Sequence, residues 1–306
     1  MLRTPLFKSE PLSTRHGGEV WIKAEHQQLT GSFKVRGSAN IVHALEEDVA
    51  SRGVITASSG NHGIGVATAA RSRGISCRIF LPSNVSPSKL ANIERLGGEP
   101  VLVDSTDAIE GELQARALAD AEGVLYISPY NNPFVAAGQG TIGKEILEDA
   151  DGELDAIVVA VGGGGMISGI ATWTKVHSPT TKIIGASALN DRAMAASIEA
   201  GRIVTPEFFP TFSDGTAGAL EEDTITFAIC QTLVDEWVDI SELDIAKAVT
   251  EMVDDHGQHV EGAAGVALAG ATQWAKKNPG SRIAVVSCGG NVSSTTLAKM
   301  IELAKT

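Results

Sequence analysis

Val54-Ile55-Thr56-Ala57-Ser58-Ser59-Gly60-Asn61-His62-Gly63 reads as a short apolar strand that breaks into a small, hydroxylated turn and then opens a helix. Residues 61–73 continue that helix, with small residues along one face. Outward from this stretch the pattern repeats. Strands are expected over 77–81, 100–103 and 124–127, with helices over 87–96 and 108–122 between them. Pro87 suits the first turn of its helix, and Gly97-Gly98 suits its end. Alternation of this kind means parallel strands covered by helices.

The rest of the chain carries a second series. Residues 20–23 read as an early strand and 36–47 as a helix. Later helices are expected over 140–147, 166–177, 192–200, 222–233, 244–256 and 263–276, and strands over 156–161, 182–186 and 283–287. The run 156–161 is almost wholly apolar, as expected of a strand covered on both faces. Residues 201–218 hold prolines and phenylalanines without a period, and read as loop. The fold class is therefore α/β with two domains, and no Pro- or Ser-rich linker marks their boundary.

Composition narrows the function. A net charge of −13 argues against nucleic acid or an anionic membrane as partner. An anionic ligand would need local cations or helix N-termini. Cys77, Cys230 and Cys288 lack metal-ligand spacing and suggest a reducing, cytoplasmic compartment. Neither a signal-like N-terminus nor a run of about twenty apolar residues is present, so no membrane association is expected.

Four stretches carry chemistry. In Leu29-Thr30-Gly31-Ser32-Phe33-Lys34-Val35-Arg36-Gly37, a lone lysine sits among small and hydroxylated residues behind an aromatic ring. An imine-forming lysine needs such a setting, because its ammonium must be desolvated and deprotonated. The plainer alternative is a surface lysine at a helix start capped by Thr30 or Ser32. The turn 58–63 offers hydroxyls, an amide and helix-start N–H groups that suit a carboxylate; the alternative is an ordinary helix capped by Ser58 or Ser59. Gly162, Gly163, Gly164 and Gly165 lie between a buried strand and a helix opened by Met166, where backbone can approach a phosphate closely. Ser287-Cys288-Gly289-Gly290-Asn291 follows the last strand, so Cys288 faces the crevice where open α/β sheets bind ligands, unless it is a packing cysteine. As a nucleophile, Cys288 lacks an obvious base partner in sequence.

Two nucleotide motifs fail. Gly163-x-Gly165-x-x-x-Gly169 is one residue off the dinucleotide fingerprint, and no acid follows the next strand until Asp191. Gly138-Gln139-Gly140-Thr141-Ile142-Gly143-Lys144 fits a phosphate loop, but Glu145 replaces the required Ser or Thr.

Together the four stretches resemble the fold type II pyridoxal-phosphate enzymes (tryptophan synthase β-like), specifically the serine/threonine dehydratase and serine racemase group. The resemblance runs from Thr4-Pro5-Leu6 to Asn291. It implies open, mostly parallel sheets covered by helices, with a large cofactor-binding domain from 1–52 and 130–306 and a small domain over 53–129. It implies pyridoxal 5'-phosphate as a Schiff base on Lys34, with Phe33 beside the ring and Asn61 at the 3-oxygen. Gly162, Gly163, Gly164, Gly165 and Met166 are implied at the phosphate, and Cys288 at the ring nitrogen. Ser58, Ser59, Gly60 and His62 are implied at the substrate carboxylate. A homodimer is also implied, with 133–134 and 208–210 as candidate contact surfaces.

The activity implied is a dehydratase (ammonia-lyase). Freed Lys34 takes the α-proton of a 3-hydroxy amino acid, the β-hydroxyl leaves, and the product hydrolyses to a 2-oxo acid and ammonia. Threonine, serine and a 3-hydroxyaspartate-type catabolic intermediate are the substrates considered, with Arg192 as the candidate extra cation for a second carboxylate. The alternative is a racemase on the same scaffold, with Ser59 as the second acid/base. A β-replacement synthase fits less well, since that group's lysine motif lacks Phe33 and Arg36. An NAD-dependent oxidoreductase is disfavoured by the missing acid. Ser187 stands where metal-dependent relatives carry an acid, which counts against a divalent cation and leaves no metal ligand assigned; Asp191 and Asp214 lie nearby in sequence. With Thr306 as the last residue, no regulatory domain is expected.

Overall fold

The computed structural model describes residues 1–106 and 108–306. Along the chain run β1 (Leu6–Lys8), α1 (Glu10–His16), β2 (Glu19–Lys23), α2 (Lys34–Ala44), α3 (Glu47–Ala50), β3 (Val54–Ala57), α4 (Asn61–Arg73), β4 (Cys77–Pro82), α5 (Pro87–Arg95), β5 (Glu99–Val103), α6 (Ala108–Glu122) and β6 (Leu125–Tyr126). There follow α7 (Pro133–Asp149), β7 (Ala156–Ala160), α8 (Gly165–His177), β8 (Lys182–Ala188), α9 (Ala193–Ala200), α10 (Ile225–Leu233), β9 (Glu236–Ile240), α11 (Glu242–His256), α12 (Gly262–Lys277), β10 (Arg282–Val286) and α13 (Ser294–Leu303).

The chain divides into two compact units. One is Lys34–Gly138 with Met1, and the other is Leu2–Phe33 with Gln139–Thr306. The first unit holds a four-stranded, wholly parallel sheet in the order β5-β4-β3-β6. Its core gathers Ile41, Val54, Val66, Ile79 and Leu81 on one side, and Ile55, Phe80 and Ala115 on the other. The second unit holds a six-stranded sheet in the order β1-β2-β10-β7-β8-β9, parallel except for the β1–β2 edge. Strand β7 is buried at every residue, as its unbroken apolar run anticipates.

β1, α1, α3, β9 and α13 lie outside the expected elements; α3 is a single four-residue turn, too short for a period. β1 is a three-residue edge strand, too short for a period. α1 is a seven-residue helix set by the Ser9 cap and a proline in its first turn. β9 is also an edge strand, and its Glu236-Trp237-Val238-Asp239-Ile240 mixes acids with apolar residues. α13 is capped by Ser293 and opens with Ser294-Thr295-Thr296, a polar first turn that hides its apolar face. Helix α7 starts at Pro133, earlier than expected, so the decoy phosphate loop lies inside a helix and offers no loop at all.

A buried ion pair anchors the large sheet. Lys23 of β2 is fully buried, lies 2.7 Å from Glu145 of α7 and donates a 2.6 Å hydrogen bond to the Thr4 carbonyl. Removing one partner of such a pair strands a charge, whereas replacing both by apolar residues is often tolerated. Glu145→Ala should therefore cost about 3–5 kcal/mol in urea unfolding, and Lys23→Met/Glu145→Leu should recover most of it. A double variant no more stable than the single one would contradict this account.

Candidate active site

In the unit of residues 34–138, strand order reverses between β3 and β6: β4 and β5 lie on one side of β3, and β6 on the other. Ligands of open α/β sheets bind beyond the carboxyl ends of the strands at such a reversal. Ser58, Ser59 and Gly60 leave β3 at that point, and Ile127, Ser128 and Pro129 leave β6.

Helix α4 opens there without a side-chain cap. Its N-cap is Gly60, and Ser58 Oγ accepts the Gly60 N–H at 3.2 Å instead of capping the helix. The first intrahelical bond runs from Ile64 N to Gly60 O at 3.1 Å. The N–H groups of Asn61, His62 and Gly63 thus lie outside the helix ladder, at the positive end of its dipole. The start of α4 is capped by glycine and not by Ser58 or Ser59.

His62 is buried, and its Nε2 donates to the Ile127 carbonyl at 2.9 Å. That assigns the proton to Nε2 and leaves Nδ1, which meets no partner, as a lone pair. Burial first, and then the nearby Lys34 charge, push its pKa down to about 3. The imidazole is a neutral strut between α4 and the exit from β6.

Lys34 is the first residue of α2 and donates from Nζ to the Pro129 carbonyl at 3.2 Å. Neither Thr30 nor Ser32 caps α2: the Thr30 hydroxyl donates to Ser32 O, and Ser32 Oγ is buried without a partner. Gly65 lets α4 pack directly on the Lys34 backbone, since a Cβ there would lie 3.2 Å from the Lys34 carbonyl carbon. An amine and an uncapped helix start therefore share one strand end.

In the unit of residues 2–33 and 139–306, the order reverses between β7 and β10, which pair in parallel register with Val285 opposite Val158. Gly162, Gly163 and Gly164 leave β7 there, and Ser287 and Cys288 leave β10. Gly164 caps α8 at φ +82°, and the first helical bond is Ser168 N to Gly164 O at 2.9 Å. The N–H groups of Gly165, Met166 and Ile167 are left for a ligand. The sequence reading credited these glycines to close approach of a ligand. At two of them the cause is the protein itself: a Cβ at Gly162 would lie 2.5 Å from Thr216 O, and one at Gly164 2.8 Å from Met194 Cε. Cys230 also lines Gly164, and burial pushes its thiol up to about 12, so it stays protonated.

The loop after β10 pins the residues leading into the lysine. Phe33 N donates to Cys288 O at 3.0 Å, Gly290 N to Gly31 O at 2.9 Å, and Asn291 Nδ2 to Thr30 O at 2.9 Å. Phe33 packs half-buried on the core of this unit. Cys288 is buried, with its thiol 3.9 Å from Glu261 Oε1. Glu261 was missed in the sequence; the signal was a lone acid at the entrance of the apolar helix α12.

Each unit, taken by itself, carries groups that suit one part of a phosphorylated aldehyde with an aromatic ring. The glycine run presents N–H donors and contains no carboxylate to repel a phosphate. Lys34 supplies an amine for an aldehyde, and the Cys288 thiol is a weak neutral partner for a ring nitrogen. The family described as "Pyridoxal-phosphate dependent enzyme" matches residues 1–289. The chain belongs to the fold type II pyridoxal-phosphate-dependent enzymes. It is similar to the L-threonine ammonia-lyase of Thermotoga maritima, with 38% identity over 299 residues, covering 98% of this chain and 74% of the relative. It spans about half the length of two curated Solanum lycopersicum threonine dehydratases that it also matches. Among solved structures it is similar to the processed form of threonine deaminase isoform 2 from Solanum lycopersicum, at TM-score 0.95 and 36% identity, covering 100% of this chain and 89% of that one. It is also similar to maize serine racemase, at TM-score 0.90 and 32% identity, covering 98% and 92%.

Asp191 is buried and accepts the Gly218 N–H at 2.9 Å, and burial raises its pKa. Arg192 is engaged by Glu199 and by Asp239 at 3.0 Å, so its charge is already matched. Among the described residues, no helix is long and apolar enough to cross a membrane.

The depressed His62 pKa makes a stability statement. Its contribution is full above the unfolded value of 6.5 and is lost as pH falls from 6.5 towards 3, because the unfolded chain takes up the proton first. Unfolding free energy should therefore fall more between neutral pH and about pH 5 for the native chain than for His62→Asn. Equal falls in the two proteins would show that His62 is not held neutral.

Proposed function

We propose that this chain is a dehydratase that removes the β-hydroxyl of a 3-hydroxy amino acid and yields a 2-oxo acid and ammonia. The observation that carries the reading is the shared strand end in the first unit. There the Lys34 amine, held by the Pro129 carbonyl, stands by the uncapped start of α4. An α-amino acid needs both features: an anion site for its carboxylate and a base for its α-proton.

When bound, pyridoxal phosphate supplies the electron sink that makes the α-proton removable and the β-substituent a leaving group. The chain's own residues do the rest. Lys34 Nζ would be the amine that holds the aldehyde and the base that accepts the α-proton, and the Pro129 carbonyl, which accepts its hydrogen bond, would keep that nitrogen placed while it is charged. Ser58, Ser59 and Gly60, with the N–H of His62, orient the substrate carboxylate. Asn61 would hold the ring 3-oxygen, and Phe33 would pack beside the ring. The N–H groups of the stretch Gly162, Gly163, Gly164, Gly165 and Met166 would hold the phosphate. A thiol at Cys288 would be a weaker partner for the ring nitrogen than a carboxylate, which would favour prompt loss of a β-hydroxyl.

Threonine and serine are the proposed substrates, in keeping with the relatives named as a threonine ammonia-lyase and a threonine deaminase. A cytoplasmic homodimer completes the proposal; the exposed Phe134 and Phe209 supply apolar surface for self-association.

Both enantiomers of serine, threonine and 3-hydroxyaspartate, assayed for 2-oxo acid and for the opposite enantiomer, test this reading. Keto acid without enantiomer is expected, and Lys34→Ala should lower the rate by at least about 10²–10⁴-fold. Enantiomer in excess of keto acid would instead establish a racemase, with Ser59 as the second acid/base.

A further inference from the structure

The glycine run is braced from below by a residue that neither its motif nor its position in the sequence suggests. Thr226 lies in the first turn of α10 and is fully buried. Its hydroxyl donates to the Gly163 carbonyl at 2.7 Å. Its Oγ1 also lies 2.8 Å from Thr224 Oγ1, the N-cap hydroxyl of α10. Each hydroxyl has one proton. Because that of Thr226 goes to Gly163, Thr224 is the donor in the second bond, while Thr224 Oγ1 accepts the Thr226 N–H at 3.4 Å. The two threonines thus form a directed relay that ends on one carbonyl of the run.

That carbonyl governs an N–H. Across a trans peptide, C=O and N–H point in opposite directions, and no peptide bond among the described residues is cis. Fixing Gly163 O towards α10 turns the Gly164 N–H to the face away from α10. The run cannot escape by shifting, because Gly164 is enclosed: a Cβ there would meet Met194 Cε at 2.8 Å, Thr226 Cβ at 3.1 Å and Cys230 Sγ at 3.2 Å.

We infer that Thr226 is a positioning residue for the cofactor phosphate: it holds the Gly163–Gly164 peptide so that the Gly164 N–H joins those of Gly165 and Met166 in gripping that group. The inference rests on the reading of the glycine run as the phosphate site. Thr226 touches neither ring nor substrate, and its effect reaches the phosphate alone. Valine has threonine's shape without its hydroxyl, so Thr226→Val would bury the Gly163 carbonyl without its donor and free the peptide to rotate.

The experiment compares two aldehydes on the cofactor-free full chain. Pyridoxal phosphate and unphosphorylated pyridoxal are each titrated in, and the dissociation constant is read from the visible absorbance of the lysine imine. In Thr226→Val, the constant for pyridoxal phosphate should rise about tenfold, as expected for one lost buried hydrogen bond. The constant for pyridoxal should be unchanged, and Thr226→Ser should behave as the native chain. If Thr226→Val does not fold, Thr224→Ala, which removes only the upstream donor, should weaken pyridoxal phosphate selectively and by less. Equal weakening of both aldehydes, or no weakening of either, overturns the role of Thr226. A native chain that binds pyridoxal as tightly as pyridoxal phosphate overturns the phosphate site itself, and the inference with it.

Discussion

Two main-chain hydrogen bonds, Phe33 N to Cys288 O and Gly290 N to Gly31 O, decide where the lysine begins. Gly31 and Phe33 are thereby locked against the exit from β10, and Ser32 forms an antiparallel bridge with Gly289. Helix α2 then starts at Lys34, directly after this paired segment. The ring of Phe33 and the thiol of Cys288 thus belong to one continuous piece of backbone pairing within this unit.

The two units solve the same problem in the same way. Each has an open sheet whose order reverses once beside its central strand, at β3/β6 in one and β7/β10 in the other. In each, the loop leaving that central strand ends in a helix capped by glycine with no side-chain cap. Such a helix offers its first N–H groups to an anion. One start offers Asn61 and neighbouring hydroxyls, which suits a carboxylate beside a ring oxygen. The other offers backbone alone, which suits a phosphate. The two starts thus differ in their side chains and share one backbone device.

Much of this was legible in the sequence. The bounds of β3, α4 and α6 match the expected ranges, because unbroken apolar runs alternate there with helices punctuated by glycine and proline. The edge strands of the six-stranded sheet, β1 and β9, were not legible, the first being too short for a period and the second mixing acids with apolar residues. At the site, side-chain motifs announced themselves, but their supports did not. The Pro129 carbonyl has no sequence signature, because every residue carries one. Thr226 is one hydroxyl in an apolar helix. Glu261 meets the thiol of Cys288 from 27 residues away. The glycines at 162 and 164 illustrate the limit: their number pointed to a phosphate loop, yet their immediate cause is the backbone of Thr216 and the side chains of Met194, Thr226 and Cys230.

The central claim is that one amine, on Lys34, captures the aldehyde. The chain loaded with pyridoxal phosphate, reduced with borohydride and digested, identifies that amine by peptide mass. The account predicts one pyridoxyl group per chain, on the peptide carrying Lys34. A pyridoxyl group fixed on any other lysine of the folded chain, with Lys34 unmodified, would contradict it.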